Sequence, residues 1–330
     1  MQSRSFVLKH ETKVDCSPMT SDALEETEPA SPATNSVTAV MSGVVWAGLA
    51  LTILSGWFTV TRLGFAHDLR VWDVIALRFG EGAVILTPVL FVRKSRLPRH
   101  AWREGLLFAL LWGAPFIFLV AVGIQLTSIT LASSIAPTLM PVFAGIFGWL
   151  ALDEVPTPLS SAGYACIGVG LFALISFSQT TDTLNLQGVA SLVVASAMWA
   201  IYTIRFRRSG LTPLEAAALI CFWSAILYLP FYLFFGASHL ANARWQELLF
   251  QSLYQGFLMS VVAIFAFNRA VGSLGSRAAT AIIALVPGAA TIFAILALNE
   301  IPSITAAGAI LVIAAGVVLA AGPTRPQALP

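Results

Sequence analysis

Arg78 and Glu81 are the residues of this 330-residue chain whose types and spacing best suit buried chemistry. Both fall inside a long apolar run, and a separation of three places them on one helix face, about a turn apart. There the arginine can hold an anionic or zwitterionic group, while the carboxylate can bind a proton or an amine. A charge near a bilayer centre costs ~2.5–3.5 kcal/mol on insertion scales, so neither side chain is expected to face lipid. The alternatives are a structural ion pair, each partner lowering the other's desolvation cost, or an arginine snorkelling to the outer interface. Glu81 is the candidate carrier of a coupling proton, although the neighbouring cation favours its ionised form.

Aromatic and amide residues in other apolar runs complete the candidate set: Trp57, Trp112, Gln125, Trp199, Tyr202, Gln255 and Asn268. A small-molecule pocket needs apolar walls with a few placed polar groups. Trp199 and Tyr202, three apart, can form a stacking wall with Trp57; plain packing or an interfacial belt is the alternative for each. Pro141 and Pro287 each remove a backbone donor from an apolar run, which predicts two matched kinks serving as hinges or gates, or bends that merely fit neighbouring helices. Enzyme chemistry is not expected. His10-Glu11 is followed by Val14 where a zinc helix needs histidine, neither GxSxG nor CxxC occurs, and Cys16, Cys166 and Cys221 are scattered. The sequence therefore predicts no metal site and no cofactor.

The elements that carry these residues are apolar runs at 43–62, 73–92, 104–124, 131–151, 159–178, 187–205, 213–235, 248–267, 278–298 and 303–322. Each is long enough to span a ~30 Å hydrocarbon core, and in lipid such segments must be helices. With 58% hydrophobic and 10% charged residues, an ordinary soluble domain is excluded, and a net charge of +2 gives no basis for nucleic-acid binding. Lys and Arg gather in alternate loops. Arg93, Lys94, Arg96, Arg99 and Arg103 share a side with Arg205, Arg207, Arg208, Arg269 and Arg277, against Arg62, Arg70 and Arg244 opposite. Both termini are thus expected in the cytoplasm. Residues 1–40, rich in Ser, Thr, Pro and acids, read as a disordered cytoplasmic tail, and 323–330 as a short second one.

The halves repeat. Leu139, Pro141, Leu152, Glu154, Pro156 and Gly170 recur 146 residues later as Leu285, Pro287, Leu298, Glu300, Pro302 and Gly316. At an offset of 142, Trp57, Thr61, Asp73, Leu77 and Pro88 recur as Trp199, Thr203, Glu215, Leu219 and Pro230. Glu154 and Glu300, at span ends on opposite sides, read as helix-end residues. Five spans per repeat is an odd number, so the second repeat must enter the bilayer inverted. The expected fold is an all-α integral membrane bundle of ten transmembrane helices, with repeats at 41–178 and 187–322. Small residues four apart, including Gly105 with Ala109, Gly256 with Ser260 and Gly316 with Ala320, should allow close helix approach.

Leu77-Arg78-Phe79, Pro141-Val142-Phe143 and Leu152-Asp153-Glu154-Val155-Pro156 resemble one repeat of the drug/metabolite transporter superfamily, EamA type. Trp199 with Tyr202, Leu285-Val286-Pro287 and Leu298-Asn299-Glu300-Ile301-Pro302 resemble the second. The resemblance implies a multi-pass carrier of the inner membrane, often an exporter of amino acids or other small metabolites. Its expected partners are a small-molecule substrate, the lipid bilayer and a coupling proton, with the chain acting as a monomer or homo-oligomer. A non-transporting receptor or assembly subunit is the alternative function class.

Overall fold

The computed structural model describes residues 32–92, 97–152, 156–178, 185–235, 238–283, 285–299 and 301–320, without the side chains of 32–39, 92, 151–152, 177–178 and 275–281. The expected tail over 1–31, the tail at 323–330, and Glu154 and Glu300 lie outside the described residues. Within them the protein is helical and carries no strand. Twelve α-helices follow in order: α1 (Pro32–Ala66), α2 (Val71–Val92), α3 (Arg99–Trp112), α4 (Ala114–Leu126), α5 (Ile129–Leu152), α6 (Pro158–Ser178), α7 (Leu186–Ser209), α8 (Pro213–Phe234), α9 (Trp245–Gln251), α10 (Ile264–Ile283), α11 (Val286–Leu298) and α12 (Ile304–Ala320). A π-helix, Ser252–Ala263, joins α9 to α10.

Eight helical stretches are long and apolar enough to cross a membrane, with 99–126 and 245–274 each counted as one; Val286–Leu298 and Ile304–Ala320 are shorter apolar helices. The protein is thus an all-helical, multi-pass membrane protein. Several boundaries differ from the sequence expectation. Helix α1 begins at Pro32, so 32–40 is helix rather than tail. The apolar run 104–124 is broken at Gly113, whose φ of −98° and ψ of −139° leave helical space just before Pro115, a residue suited to restarting a helix. Residues 268–283, read partly as a polar loop and partly as the start of a ninth span, continue α10. Arg, Ser and Ala are acceptable helix residues there, and proline arrives only at 287.

Helix pairing is specific. α2 packs on α8 and α6 on α12; α1 packs on α10 and α11, while α7 packs on α4 and α5; α3 lies against α8, and the π-helix against α2. Asp73 and Glu215 stand in the first turns of α2 and α8 and cap them alike: Asp73 Oδ2 accepts from Arg70 N at 2.9 Å, and Glu215 Oε2 from Thr212 N at 2.8 Å. Asp73, fully buried, also accepts from the Tyr232 hydroxyl at 2.6 Å and from His239 N at 2.9 Å, tying α2 to the segment after α8.

Between α6 and α12 the backbones touch. A Cβ on Gly163 would strike the Gly316 carbonyl and the backbone of Ala320, the close approach that small residues permit. Gly163→Val should therefore destabilise the protein by about 1–3 kcal/mol through overpacking. Gly168→Val, where a Cβ meets nothing within 4 Å, should leave the melting temperature in detergent unchanged; equal melting of both variants would refute this packing.

Candidate functional site

The bundle interior encloses a cavity of about 30 Å³. Helices from both ends of the sequence wall it: Trp57 and Phe58 from α1, Arg78 from α2, Trp112 from α3, Phe116 from α4, Pro137 from α5, Trp199 from α7, Met259 from the π-helix and Val286 from α11. That volume holds a water or two and falls far short of the ~300–1,000 Å³ typical of ligand pockets. A metabolite can enter only if these helices part.

Among the described residues, Arg78 is the one charged residue in the wall. Only 2% of it is exposed, and its Nε and Nη1 have no hydrogen-bond acceptor among the described residues. Its guanidinium carbon lies 5.6 Å from the Trp57 ring centre and 5.7 Å from that of Phe79. Aromatic faces attract a cation and recover part of its hydration loss, by up to ~2 kcal/mol in a dry site. They cannot replace a counter-anion. The ion pair with Glu81 that the spacing allowed does not form: among the described residues no salt bridge includes Arg78, and Glu81 does not line the cavity. Glu81 accepts instead from the Ser252 hydroxyl at the start of the π-helix, and Gly256 leaves room for its carboxylate, since a Cβ there would strike Glu81 Oε2. The physical reason is divergence within one turn. Arg78 reaches into the aromatic interior, whereas Glu81 finds a hydroxyl donor on the neighbouring helix.

A polar ladder supports the Trp57 wall. Trp57 Nε1 donates to Gln255 Oε1 at 2.7 Å, and Gln255 Nε2 donates to Thr61 Oγ1 at 3.1 Å and to Gln251 Oε1 at 3.2 Å. Gln251 Nε2 in turn donates to the Val60 carbonyl at 2.8 Å and to Glu247 at 2.9 Å. Both glutamines are fully buried, and the Tyr254 hydroxyl donates to the Ile53 carbonyl at 2.9 Å. The ladder thus fixes α1 to α9 and the π-helix. At Ser260 the π-helix also reaches α2: its hydroxyl donates to the Arg78 carbonyl at 2.6 Å and to the Gln255 carbonyl at 2.9 Å.

On the opposite wall Trp199 and Trp112 stack with ring centres 5.9 Å apart, and Tyr202 stacks on Trp112 at 4.5 Å. Trp57 and Trp199, paired in the repeat, therefore both face the cavity, while Tyr202 stands behind it with its hydroxyl donating to Asn268 Oδ1 at 3.3 Å. Trp199 Nε1 and Asn268 Nδ2 are buried without partners. Gln125 is elsewhere: it is exposed near the end of α4.

The two prolines are not equivalent. Pro141 sits inside α5 together with Pro137, which itself lines the cavity, so α5 carries the missing-donor effect twice. Pro287 occupies the first turn of α11, where its missing N–H costs nothing. The expected matched kinks are therefore replaced by a proline-containing helix in one case and a helix start in the other.

Of the residues singled out in the sequence, Arg78, Trp57, Trp112 and Trp199 line this cavity and Gln255 lies behind it, whereas Gln251, Ser252 and the π-helix were not anticipated. Gln251 and Gln255, four apart, carried a readable signal: two amides on one face of an apolar helix need buried partners.

Residues 41–176 and 186–322 each match the EamA-like transporter family. An uncharacterized transporter of Archaeoglobus fulgidus is 27% identical over 279 residues, covering 81% of this chain and 93% of the relative. A solved crystal structure of a protein 19% identical superposes with a TM-score of 0.60 over 86% of this chain and 96% of its own, a likeness of fold alone. Because the two matched segments take in most of the sequence and fall on the helices that wall the cavity, the chain belongs to the EamA-like transporter family.

Proposed function

We propose that the protein is a secondary transporter of a small organic metabolite, working by alternating access at the cavity around Arg78, with export as its direction. The observation that carries this reading is a buried cation with no acceptor, among the described residues, for two of its three guanidinium nitrogens, set in an aromatic cavity where helices from both matched segments meet. A site between two halves, opened to each side in turn, is the usual arrangement of carriers built from inverted repeats.

The reading counts ten spans in two inverted repeats, and the helix pairing supports it. Exchanging the first six helices for their counterparts turns the α1 pairs with α10 and α11 into the α7 pairs with α4 and α5, and maps α2–α8 and α6–α12 onto themselves. The same exchange sets the break at Gly113 against the π-helix, so the third span of each half is irregular at a matching depth. Irregular backbone at such depth is tolerated where it is buried or lines a cavity. With lysines and arginines on their preferred side, both termini lie in the cytoplasm under this reading, and the family resemblance suggests the inner membrane.

The test is flux. Purified protein in liposomes, challenged with candidate compounds that accumulate outside an overproducing strain and not outside a deletion strain, should transport at least one of them above empty liposomes. Binding without flux would favour a receptor. Glu81, held by Ser252, is the coupling-proton candidate under this reading. Glu81→Gln should then lose flux driven by a pH gradient while retaining substrate exchange at equal pH on both sides; gradient-driven flux at wild-type rate would remove protons from the mechanism.

A further inference from the structure

We propose that the cavity selects a monoanionic carboxylate on an apolar or aromatic body and excludes the zwitterionic amino acid of the same shape. The proposal rests on the reading of this cavity as the transport site and narrows its substrate class. Two of the three guanidinium nitrogens of Arg78 lack acceptors, and so does the indole nitrogen of Trp199, on the same cavity wall. The wall therefore offers donors in want of an acceptor. It offers no acid. Glu81 is engaged by Ser252, Asp73 accepts from Arg70 N, the Tyr232 hydroxyl and His239 N, and neither lines the cavity.

A planar guanidinium matches a carboxylate in charge and shape. One bound carboxylate would cancel the buried charge, whereas a dianionic phosphate would leave an excess that no second cation among the described residues of the wall offsets. An α-ammonium group would restore the imbalance, bringing a second cation beside Arg78 with no carboxylate to receive it. A backbone carbonyl can accept from an ammonium but carries no net charge to offset it. A site whose buried groups are left unmatched discriminates strongly, and at least about tenfold is expected between an acid and its amino-acid analogue. The remaining wall, Trp57, Phe58, Trp112, Phe116 and Trp199, suits an apolar body.

Three compounds with one phenyl body separate the possibilities: 3-phenylpropanoate, phenylalanine and 2-phenylethylamine. Each is titrated against the purified full-length protein, reading tryptophan fluorescence excited at the red edge where phenyl rings do not absorb. Expected is saturable binding of 3-phenylpropanoate, at least about tenfold weaker binding of phenylalanine and none of the amine. Arg78→Met should lose the acid, and Arg78→Lys should retain part of its binding, which guards against a variant that misfolds. Phenylalanine binding at parity, acid binding unchanged in Arg78→Met, or no binding of any of the three overturns the proposal. Protein-dependent flux in liposomes keeps the two claims apart. Acid binding without flux fails the carrier reading and leaves the selectivity standing, whereas phenylalanine flux at parity does the reverse.

Discussion

Arg78→Met is expected to raise the melting temperature of the purified protein while lowering substrate-dependent flux at least about tenfold. The two effects have one cause. Only 2% of Arg78 is exposed, and it has no acceptor for Nε or Nη1, so folding strips a cation of water without supplying a counter-ion. Replacing buried ionic groups by apolar residues of similar size is commonly neutral or stabilising, by on the order of 1–4 kcal/mol. Loss of the contacts with Trp57 and Phe79 subtracts up to ~2 kcal/mol, so the balance spans about −1 to +4 kcal/mol and centres on a gain of about 1–2 kcal/mol. At roughly 2 °C per kcal/mol for a chain longer than 250 residues, that is a measurable shift. Stability given up at a site of binding is the usual sign of a functional residue. If Arg78 instead serves structure, the variant melts lower and any flux defect follows its lower abundance. A fluorescence melt at matched protein concentration, paired with liposome flux, decides between the two.

How much of this could be read from the residues follows from what each signal depends on. Span positions come from the length of apolar runs, a demand of the bilayer itself, and the helices fall where the runs are. Helix ends depend on local detail that an apolar run hides: Gly113 stops α3, and nothing stops α10 before Ile283. Arg78 was legible because a charge in lipid must have a destination. Its partner was not, since i,i+3 spacing states that two side chains can meet and not that they do; Ser252, far along the sequence, outcompetes Arg78 for Glu81. Pro141 and Pro287 match in sequence and differ in role, because proline's cost depends on whether four helical residues precede it. The π-helix leaves no trace in hydropathy. Only the paired amides Gln251 and Gln255, four apart in an apolar run and each needing buried partners, indicated that this helix is held from its side.

That ladder gives the second large effect. Gln255→Leu should destabilise the protein by about 1–3 kcal/mol, because it leaves Trp57 Nε1 and Gln251 Oε1 buried without their partner at a position with no access to water. Trp57→Phe should cost a similar amount, leaving Gln255 Oε1 unsatisfied while keeping a ring toward Arg78. The double variant should cost less than the two together by about 1 kcal/mol, since once either partner is gone the second substitution removes a group already unpaired. Costs that add to within about 0.5 kcal/mol would mean that the two side chains contribute independently. Flux carries the functional half of the argument. Trp57 is both a wall of the cavity and the end of a ladder anchored on the π-helix, so loosening the ladder should let the wall shift without touching Arg78. Gln255→Leu is therefore expected to weaken substrate binding severalfold while its preference among phenylpropanoate, phenylalanine and phenylethylamine stays that of the wild type. A changed preference would place Gln255 in direct contact with the substrate.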